Sequence, residues 1–239
     1  MNGTLYLIPT PLGGDDPSGT IPGPVLERML SLKTFVVEEL RTARRYLSSC
    51  GLKGQIASLD LHELNEHTKD EEVEALLPLF RDGNDVGLMT EAGLPAVADP
   101  GARLVALCHR HGIRVVPLTG PSSLMMALMA SGMNGQSFAF LGYLPAKADE
   151  RKNAIREAEK HSASFRQTQI FIETPYRNDA MLSDLVAVCR PSTSICVAAN
   201  LTTEDEYIRT FPASKWKELV SKGFTIGKRP CVFLILSQR

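Results

Sequence analysis

The chain has 239 residues, a length that corresponds to one large or two small domains. Its 26 basic and 27 acidic residues give a net charge of −1, which argues against a polycation that holds nucleic acid by bulk attraction alone. Hydrophobic residues make up 44% and charged residues 22% of the chain, as in globular proteins, so a disordered chain is excluded.

In chain order, the first half alternates short apolar runs with helical patterns. Strands are predicted at residues 5–8, 35–37, 56–59, 86–89 and 113–116. Helices are predicted at residues 25–32, 40–48 and 71–80, the last with Asp70 as its cap, and between Pro100 and Gly112. Strands separated by helices indicate a mainly parallel sheet that is covered on both faces. Such sheets bind ligands in loops beyond the carboxyl ends of their strands.

The second half begins with a helical segment and then carries strands at closer spacing. Helices are predicted at residues 122–131, 149–162, 178–188 and 214–220. Strands are predicted at residues 138–143, 170–172, 195–198, 207–210 and 232–236. Because not every pair of strands leaves room for a connecting helix, we predict a mixed sheet here. The fold class is therefore α/β with two domains, residues 1–117 and 118–239, and a ligand cleft between them.

The two halves differ in charge. Residues 1–117 carry a net charge of −5 and residues 118–239 a net charge of +4. A basic second half either faces a polyanion or reflects chance scatter. Its most concentrated basic stretch consists of Lys147, Arg151, Lys152, Arg156 and Lys160. On a helix, such a stretch is either a solvated face or a contact for RNA phosphates.

Signals for export, membranes and metals are weak. The five cysteines are widely spaced without a CxxC pair, which favours free thiols in a reducing cytosol and excludes a zinc ribbon. The N-terminal residues do not resemble a signal peptide, and no stretch approaches the roughly 18 apolar residues that cross a bilayer. We therefore expect a cytoplasmic protein with no membrane association and no metal site.

Several common catalytic motifs are missing. No GxGxxG follows a strand, the Walker spacing is absent, and there is no GxSxG. The histidines at 62 and 67 are five residues apart, so they do not share a helix face as the HExxH zinc motif requires. These absences weaken hydride transfer, ATP hydrolysis, acyl hydrolysis and metalloproteolysis as functions.

Four loops that follow predicted strands are rich in glycine, proline and small polar residues. They cover residues 9–14, 90–101, 119–123 and 173–177. Glycine allows the backbone to approach a ligand closely, and proline fixes the direction of the approach. Any one of these loops is explained by a plain turn. All four at strand ends, in both halves, predict one small ligand held between the two domains.

The same loops carry a resemblance to a known family. GTLYLIPTPLG at residues 3–13, EAGLP at 91–95 with DPG at 99–101, GPSS at 120–123, GYLP at 142–145 and ETPYR at 173–177 follow one another in the order of that family's motifs. The chain resembles the tetrapyrrole methylase superfamily, whose members methylate with S-adenosylmethionine (SAM). Within it, the chain is most similar to the branch that methylates a ribose 2′-hydroxyl of small-subunit ribosomal RNA.

The resemblance implies two α/β domains, a cleft that holds SAM between them, and a homodimer. It also accounts for the missing GxGxxG, because this superfamily does not bind SAM through that loop. The positions that match cofactor-lining motif residues are Leu12, Glu91, Gly93, Leu94, Gly120, Ser122, Ser123, Pro230 and Cys231. The partner implied is ribosomal RNA or the small ribosomal subunit.

Methyl transfer from a sulfonium is an in-line displacement, so the protein mainly aligns the reactants. An alcohol acceptor benefits from a general base or from a cation that stabilises the developing alkoxide. The polar residues at matching motif positions are Glu39, Arg41, Asn65, Glu66, Glu173 and Arg177, and each is equally explained by a structural ion pair. Of these, the catalytic candidates are Glu39, Arg41, Asn65 and Glu173.

The chain departs from the RNA branch near the substrate. Glu91 stands where that branch has Asp, and Leu94 where it has Thr. These departures leave two alternatives to RNA methylation open. The acceptor is then a small, tetrapyrrole-like molecule, or the chain is a non-catalytic module that binds SAM.

Overall fold

The structure is a computed structural model that describes residues 3–14 and 16–237. The chain forms two compact units, one ending at Ser122 and the other beginning at Ser123. This division lies a little beyond the predicted boundary between residues 117 and 118. Both units are α/β, the first with a parallel sheet and the second with a mixed one, which confirms the predicted fold class.

Among its described residues, unit 1 has a five-stranded sheet and four α-helices. Its strands are β1 (Thr4–Leu7), β2 (Thr34–Val37), β3 (Asp60–Glu63), β4 (Val86–Met89) and β5 (Arg114–Pro117). Its helices are α1 (Gly23–Leu30), α2 (Leu40–Leu47), α3 (Asp70–Glu74) and α4 (Gly101–Arg110). The strands pair in the order β3-β2-β4-β1-β5, and every pair is parallel.

Each face of this sheet has its own hydrophobic core. Val36 and Leu88 lie in one core with side chains of α3 and α4. Phe35, Val37 and Met89 lie in the other core with α1 and α2. Alternate residues of a strand point to opposite faces, so continuous apolar strands are what a doubly covered sheet requires.

Two predicted elements of unit 1 are wrong. The strand predicted at 56–59 is a 3₁₀ turn (Ile56–Ser58), and the real strand follows it as β3. Strand β3 lies at the sheet edge, where polar residues are tolerated, so its sequence lacks an apolar run.

The helix predicted at 71–80 is broken. Only α3 is α-helical, and a 3₁₀ segment (Leu77–Gly83) follows it. Pro78 cannot donate a backbone hydrogen bond and its ring clashes with the preceding turn, so the α-helix ends before it. The residue that caps α3 is Lys69, not Asp70, and the Glu72 carboxylate accepts a hydrogen bond from its N–H at 2.7 Å.

Unit 2 contains a mixed sheet with helices on both faces. Its strands are β6 (Phe138–Tyr143), β7 (Thr168–Glu173), β8 (Ser194–Ala199), β9 (Tyr207–Pro212) and β10 (Cys231–Leu236). Its helices are α5 (Ser123–Ser131), α6 (Ala148–Phe165), α7 (Asn178–Val188) and α8 (Ala213–Ser221). The order is β6-β7-β10-β8-β9; only β6 and β7 pair in parallel.

Helices α6, α7 and α8 share one hydrophobic core with the sheet of unit 2. Helix α5 packs against β8, β9 and β10. Within the core, the Trp216 indole is fully buried and donates to the Ile195 carbonyl at 2.9 Å. A buried ion pair joins α6 to α7, because Arg151 Nε and Nη2 both donate to Asp184 Oδ2 at 2.8 and 2.5 Å.

All five cysteines are free thiols. In the part of the chain that the structure describes, none of the helices has both the length and the apolar character that a membrane span requires. Nor do three or more His, Cys, Asp or Glu side chains of that part gather to hold a metal ion.

Candidate functional site

The loops of unit 1 meet where the direction of the chain connections changes. From β1 the chain passes β4 to reach β2, and from β4 it passes β1 to reach β5. The first connection carries α1 on one face of the sheet, and the second carries α4 on the other. Neighbouring strands whose connections leave in opposite directions open a crevice at their carboxyl ends, where α/β proteins bind ligands.

The loops after β1 and β4 are joined across this crevice by their backbones. Thr10 N donates to Gly93 O at 2.9 Å, and Gly93 N donates to Thr10 O at 3.1 Å. Gly93 has φ +81°, a conformation that favours glycine, and a Cβ there would lie 3.2 Å from Leu12 Cδ2. Two predicted cofactor residues, Leu12 and Gly93, are therefore neighbours.

The loop after β5 packs against the loop after β1. A Cβ on Gly120 would lie 2.1 Å from Pro9 Cβ and 2.4 Å from Pro9 Cγ. A proline ring has no flexible end that can move aside, so only glycine fits at position 120. Leu12, Gly93 and Gly120 are thus brought together at the crevice from three separate loops.

The loop between β4 and α4 is strained. Ala96 and Ala98 have φ +66° and +64°, a region that residues with a side chain rarely adopt. Asp99 holds this loop, because its Oδ1 accepts from Ala96 N at 3.0 Å and from Gly101 N at 2.7 Å. Burial raises the pKa of Asp99 above its ordinary value. A strained loop that a half-buried carboxylate fixes is typical of a ligand-binding segment.

A small polar pocket lies between α2 and the ends of β1, β2 and β4. Thr10, Glu38, Thr42, Tyr46, Thr90 and Glu91 contribute to its lining. The Thr90 hydroxyl is buried there and has no hydrogen-bond partner among the described residues. The Tyr46 hydroxyl donates to Pro9 O at 3.1 Å, so α2 is fixed to the loop after β1. A buried hydroxyl without a partner leaves a hydrogen bond that a ligand can satisfy.

The charged side chains that line this pocket, Glu38, Glu39 and Glu91, are all acidic. Glu91 lies on the exposed side, and its N–H donates to Glu38 Oε2 at 3.2 Å. Burial raises the pKa of Glu38, and the nearby carboxylates of Asp99, Glu91 and Glu66 act in the same direction. The site therefore attracts positively charged groups.

Of the three catalytic candidates of unit 1, Glu39 lines this pocket, and both Glu39 and Asn65 have structural roles. Glu39 caps α2, accepting from Arg41 N at 2.8 Å and from Thr42 N at 2.6 Å. The hydrogen bond from the Thr42 hydroxyl and those backbone contacts lower the pKa of Glu39. Arg41 lies exposed in the first turn of α2.

Asn65 organises the turn after β3. Its Nδ2 donates to Glu63 Oε1 at 2.5 Å, and its Oδ1 accepts from His67 N at 2.9 Å. Its own N–H donates to the Thr68 hydroxyl at 2.9 Å. Asn65 therefore shapes this loop at the carboxyl edge of the sheet.

Two further predicted cofactor residues belong to unit 1: Leu94 is half-buried in the loop after β4, and Ser122 ends the unit. The other predicted site residues belong to unit 2. Glu173 and Cys231 are paired across β7 and β10. Glu173 Oε1 accepts from Arg177 Nε at 2.9 Å and Nη2 at 2.6 Å, while its buried Oε2 has no partner in the described chain. Burial raises the pKa of the Cys231 thiol. Pro230 precedes Cys231, and Ser123 opens α5.

Of the polar residues that line the pocket, the sequence predictions named Glu39 and Glu91 and missed five, namely Thr10, Glu38, Thr42, Tyr46 and Thr90. Glu38 and Thr90 directly follow β2 and β4, so their position at the carboxyl edge of the sheet was a usable signal. Tyr46 lies at the C-terminal end of α2, and only the folded chain brings it to Pro9.

The basic stretch at residues 147–160 is largely neutralised. Arg151 is 5% exposed and paired with Asp184, which also lies 3.6 Å from Lys152 Nζ. Lys147 Nζ lies 3.2 Å from Glu150 Oε1. The middle of this stretch joins α6 to α7, which weakens the interpretation of the stretch as a contact for RNA phosphates.

Comparison with curated proteins finds close matches over nearly the whole chain. A protein named Ribosomal RNA small subunit methyltransferase I from Vibrio cholerae is 31% identical over 98% of this chain and 77% of its own length. A protein of the same name from Escherichia coli O157:H7 is 33% identical over the same shares of both chains.

Solved structures match the fold. The methyltransferase CobJ superposes with a TM-score of 0.62 at 17% identity, covering 98% of this chain and 94% of that one. A uroporphyrin-III C-methyl transferase from Thermus thermophilus, complexed with S-adenyl homocysteine, gives 0.57 at 18% identity and covers 98% of each chain.

The family model described as Tetrapyrrole (Corrin/Porphyrin) Methylases matches residues 36–216, most of both units. This match and the relatives confirm the resemblance that the ordered loop motifs predicted. The chain belongs to the tetrapyrrole methylases, a family of SAM-dependent methyltransferases.

Proposed function

We propose that the protein transfers the methyl group of SAM to a ribose 2′-hydroxyl of small-subunit ribosomal RNA. The observation that carries the proposal is the backbone bridge between Thr10 and Gly93, at the crevice where the connections of β1 and β4 diverge. The order of the loop motifs and the names of the curated relatives support the choice of RNA as acceptor.

The residues at this crevice fit the chemistry of SAM. The cofactor carries a sulfonium and an ammonium group, and the carboxylates of Glu38 and Glu91 favour positive charge. The Thr90 hydroxyl can form a hydrogen bond that the protein leaves unmade. Gly93 and Gly120 expose backbone, and Leu12 and Leu94 supply apolar walls. We assign Ser122, Ser123, Pro230 and Cys231 to the cofactor as well, on the strength of their motif positions.

SAM supplies an activated methyl group, so the remaining task of the protein is to align the acceptor and to take up its proton. Of the four catalytic candidates, we favour Glu173 as the general base that accepts the proton of the ribose hydroxyl. One of its oxygens is held by Arg177 and the other has no partner within the described chain. Glu39 and Asn65 are held by their own turns, so we assign them to positioning, with Arg41 exposed beside them as a cation for the acceptor.

We also infer a cytoplasmic homodimer. Five free cysteines are in keeping with a reducing compartment, and the family resemblance implies the dimer. Light scattering of the purified full chain should give twice the monomer mass, and a monomer at micromolar concentration would contradict this inference.

The test of the proposed function is transfer of labelled methyl from SAM to a fractionated extract of cells that lack the protein. We expect label in the RNA of the small ribosomal subunit. Glu173→Gln should reduce the rate, because the amide cannot take up the proton, while SAM affinity should stay unchanged. Glu218→Gln on α8 is the matched control and should match the wild type.

Label confined to small molecules would favour a tetrapyrrole-like acceptor. No label in any fraction would favour a module that binds SAM without transferring its methyl group. Either result would overturn the proposal.

A further inference from the structure

Unit 2 displays aromatic rings paired with cations along one edge of its sheet. Tyr176 is 79% exposed, and Lys228 Nζ lies 5.8 Å from the centre of its ring. The guanidinium groups of Arg209 and Arg229 lie 5.6 and 5.5 Å from the ring centre of Tyr207. Together with Arg177, these residues form what we call the cation–aromatic rim: Tyr176, Arg177, Tyr207, Arg209, Lys228 and Arg229.

The sheet topology places the rim at one edge. Cys231 at the start of β10 pairs with Glu173 at the end of β7 and with Ala199 at the end of β8. Ala199 pairs in turn with Tyr207 at the start of β9. The loops that carry Tyr176 and Lys228 therefore emerge side by side.

Buried polar side chains hold both loops. Glu173, 4% exposed, accepts two hydrogen bonds from the Arg177 guanidinium. The fully buried Asn178 donates from Nδ2 to Gly227 O at 3.0 Å and to Arg229 O at 2.7 Å. Neighbouring residues at the end of β7 and the start of α7 thus fix Tyr176 and Lys228 in place. Such preorganisation lowers the entropy cost of binding.

The composition of the rim selects one kind of partner. Exposed aromatic rings stack on unpaired bases, and lysine and arginine bind phosphates. The rim is not uniformly basic, since Glu204 and Asp205 are exposed just before Tyr207. The overall electrostatic attraction of the rim for a double-stranded RNA is therefore weak. Exposed rings that stack on bases, alternating with cations that each bind one phosphate, suit a single strand instead.

We propose that the cation–aromatic rim binds a single-stranded segment of the RNA substrate, with a base stacked on Tyr176 and a phosphate at Lys228. This inference rests on the proposed function, because it assigns a docking surface to the same RNA. It also differs from the stretch at residues 147–160, in which Lys147, Arg151 and Lys152 form ion pairs within unit 2.

The test compares Tyr176→Ala, Tyr176→Phe and Lys228→Ala with the wild-type chain. Two readouts are needed: binding of a labelled single-stranded RNA of about 12 nucleotides, and the KM for small-subunit RNA in methyl transfer. Phe165→Ala and Lys160→Ala are matched controls, since they remove an exposed ring and an exposed cation of α6. Affinity for S-adenosylhomocysteine reports that each variant is folded.

We expect Tyr176→Ala to weaken RNA binding and raise KM roughly 5- to 100-fold, while Tyr176→Phe keeps the stack and stays near the wild type. Lys228→Ala should reduce the slope of log affinity against log salt by about 0.7, the loss of one phosphate contact. The controls and the affinity for S-adenosylhomocysteine should not change.

Two results separate the failure of the rim from the failure of the proposed function. If the wild type methylates RNA and the rim variants behave like the controls, the rim proposal is overturned and the proposed function stands. If the wild type binds RNA through the rim but transfers no methyl to it, the proposed function fails and the rim is supported. If the wild-type chain does not bind RNA at all, the proposal that the rim binds RNA is overturned.

Discussion

The two units hold their loops in different ways. In unit 1, the loops contact one another directly, through the backbone bridge of Thr10 and Gly93 and the close approach of Gly120 to Pro9. In unit 2, the loops contact buried side chains, with Arg177 held by Glu173 and the 227–229 segment held by Asn178. The first arrangement is disrupted by adding atoms, and the second by removing polar groups.

This difference has a consequence for function. Loops fixed through their backbones leave side chains such as Thr90 free to meet a ligand, as a cofactor site requires. Loops that are held by buried side chains leave their exposed tips free, as a docking surface for a larger partner requires. The predictions below test both halves of this comparison, beginning with the largest expected effect.

Asp184→Ala tests how far unit 2 depends on buried polar side chains. Arg151 would keep its charge in a site where it is 5% exposed, so we expect a loss of about 3–5 kcal/mol in the free energy of unfolding. Urea unfolding measures it. The matched control is Asp205→Ala, an exposed carboxylate in the same unit, which should change stability by less than about 0.5 kcal/mol. Equal effects of the two changes would contradict the structural role of the pair.

Gly120→Ala tests the close approach in unit 1. The added Cβ would lie 2.1 Å from Pro9 Cβ, so we expect a loss of about 3 kcal/mol in stability and displaced loops. Calorimetry should show weaker binding of S-adenosylhomocysteine. Gly19→Ala is the control, because a Cβ there meets nothing within 4 Å. Unchanged affinity in Gly120→Ala would break the assignment of this crevice to the cofactor.

Asn178→Ala removes the support of the loop that carries Lys228. Two hydrogen bonds to the backbone carbonyls of Gly227 and Arg229 disappear, which should cost about 1–2 kcal/mol in unfolding free energy. RNA binding should weaken while affinity for S-adenosylhomocysteine is retained. Asn153→Ala on the exposed face of α6 should leave both properties unchanged. RNA binding that is equally strong in both variants would show that the loop needs no such support.

Glu38→Gln has the smallest and most specific effect, on the pH dependence of stability. The pKa of Glu38 is raised in the folded chain, so the fold disfavours its charged form. The variant should therefore melt at a higher temperature than the wild type at pH 7. The difference should vanish near pH 4, below the ordinary glutamate pKa of about 4.3. Glu27→Gln, an exposed change on α1, should show no such dependence. A variant that is less stable at pH 7 would contradict the raised pKa.

Much of the fold follows from local sequence patterns, because apolar runs in a doubly covered sheet are continuous and easily recognised. Strand β3 was not predicted, because the polar sequence of this edge strand contains no continuous apolar run. The helix at α3 was predicted too long because the helical spacing of apolar residues continues past Pro78. The α-helical backbone cannot continue through this proline.

The candidate site was predictable only in part. Leu12, Gly93 and Gly120 were named because they match motif positions of the family that the chain resembles. Tyr46 was missed because its role depends on a contact between distant segments, whereas Thr90 could have been found from its position directly after β4. Arg151 was assigned to the surface from its spacing, although its charge partner, Asp184, lies on another helix.

The most direct test of the central claim is the chemical position of the transferred methyl. Small-subunit RNA labelled by the purified protein is digested with alkali, which cleaves every linkage whose 2′-hydroxyl is free. Methylation of a ribose 2′-hydroxyl should leave the label in an alkali-resistant dinucleotide. Label in mononucleotides would place the methyl on a base, and label absent from the RNA would remove RNA as the acceptor.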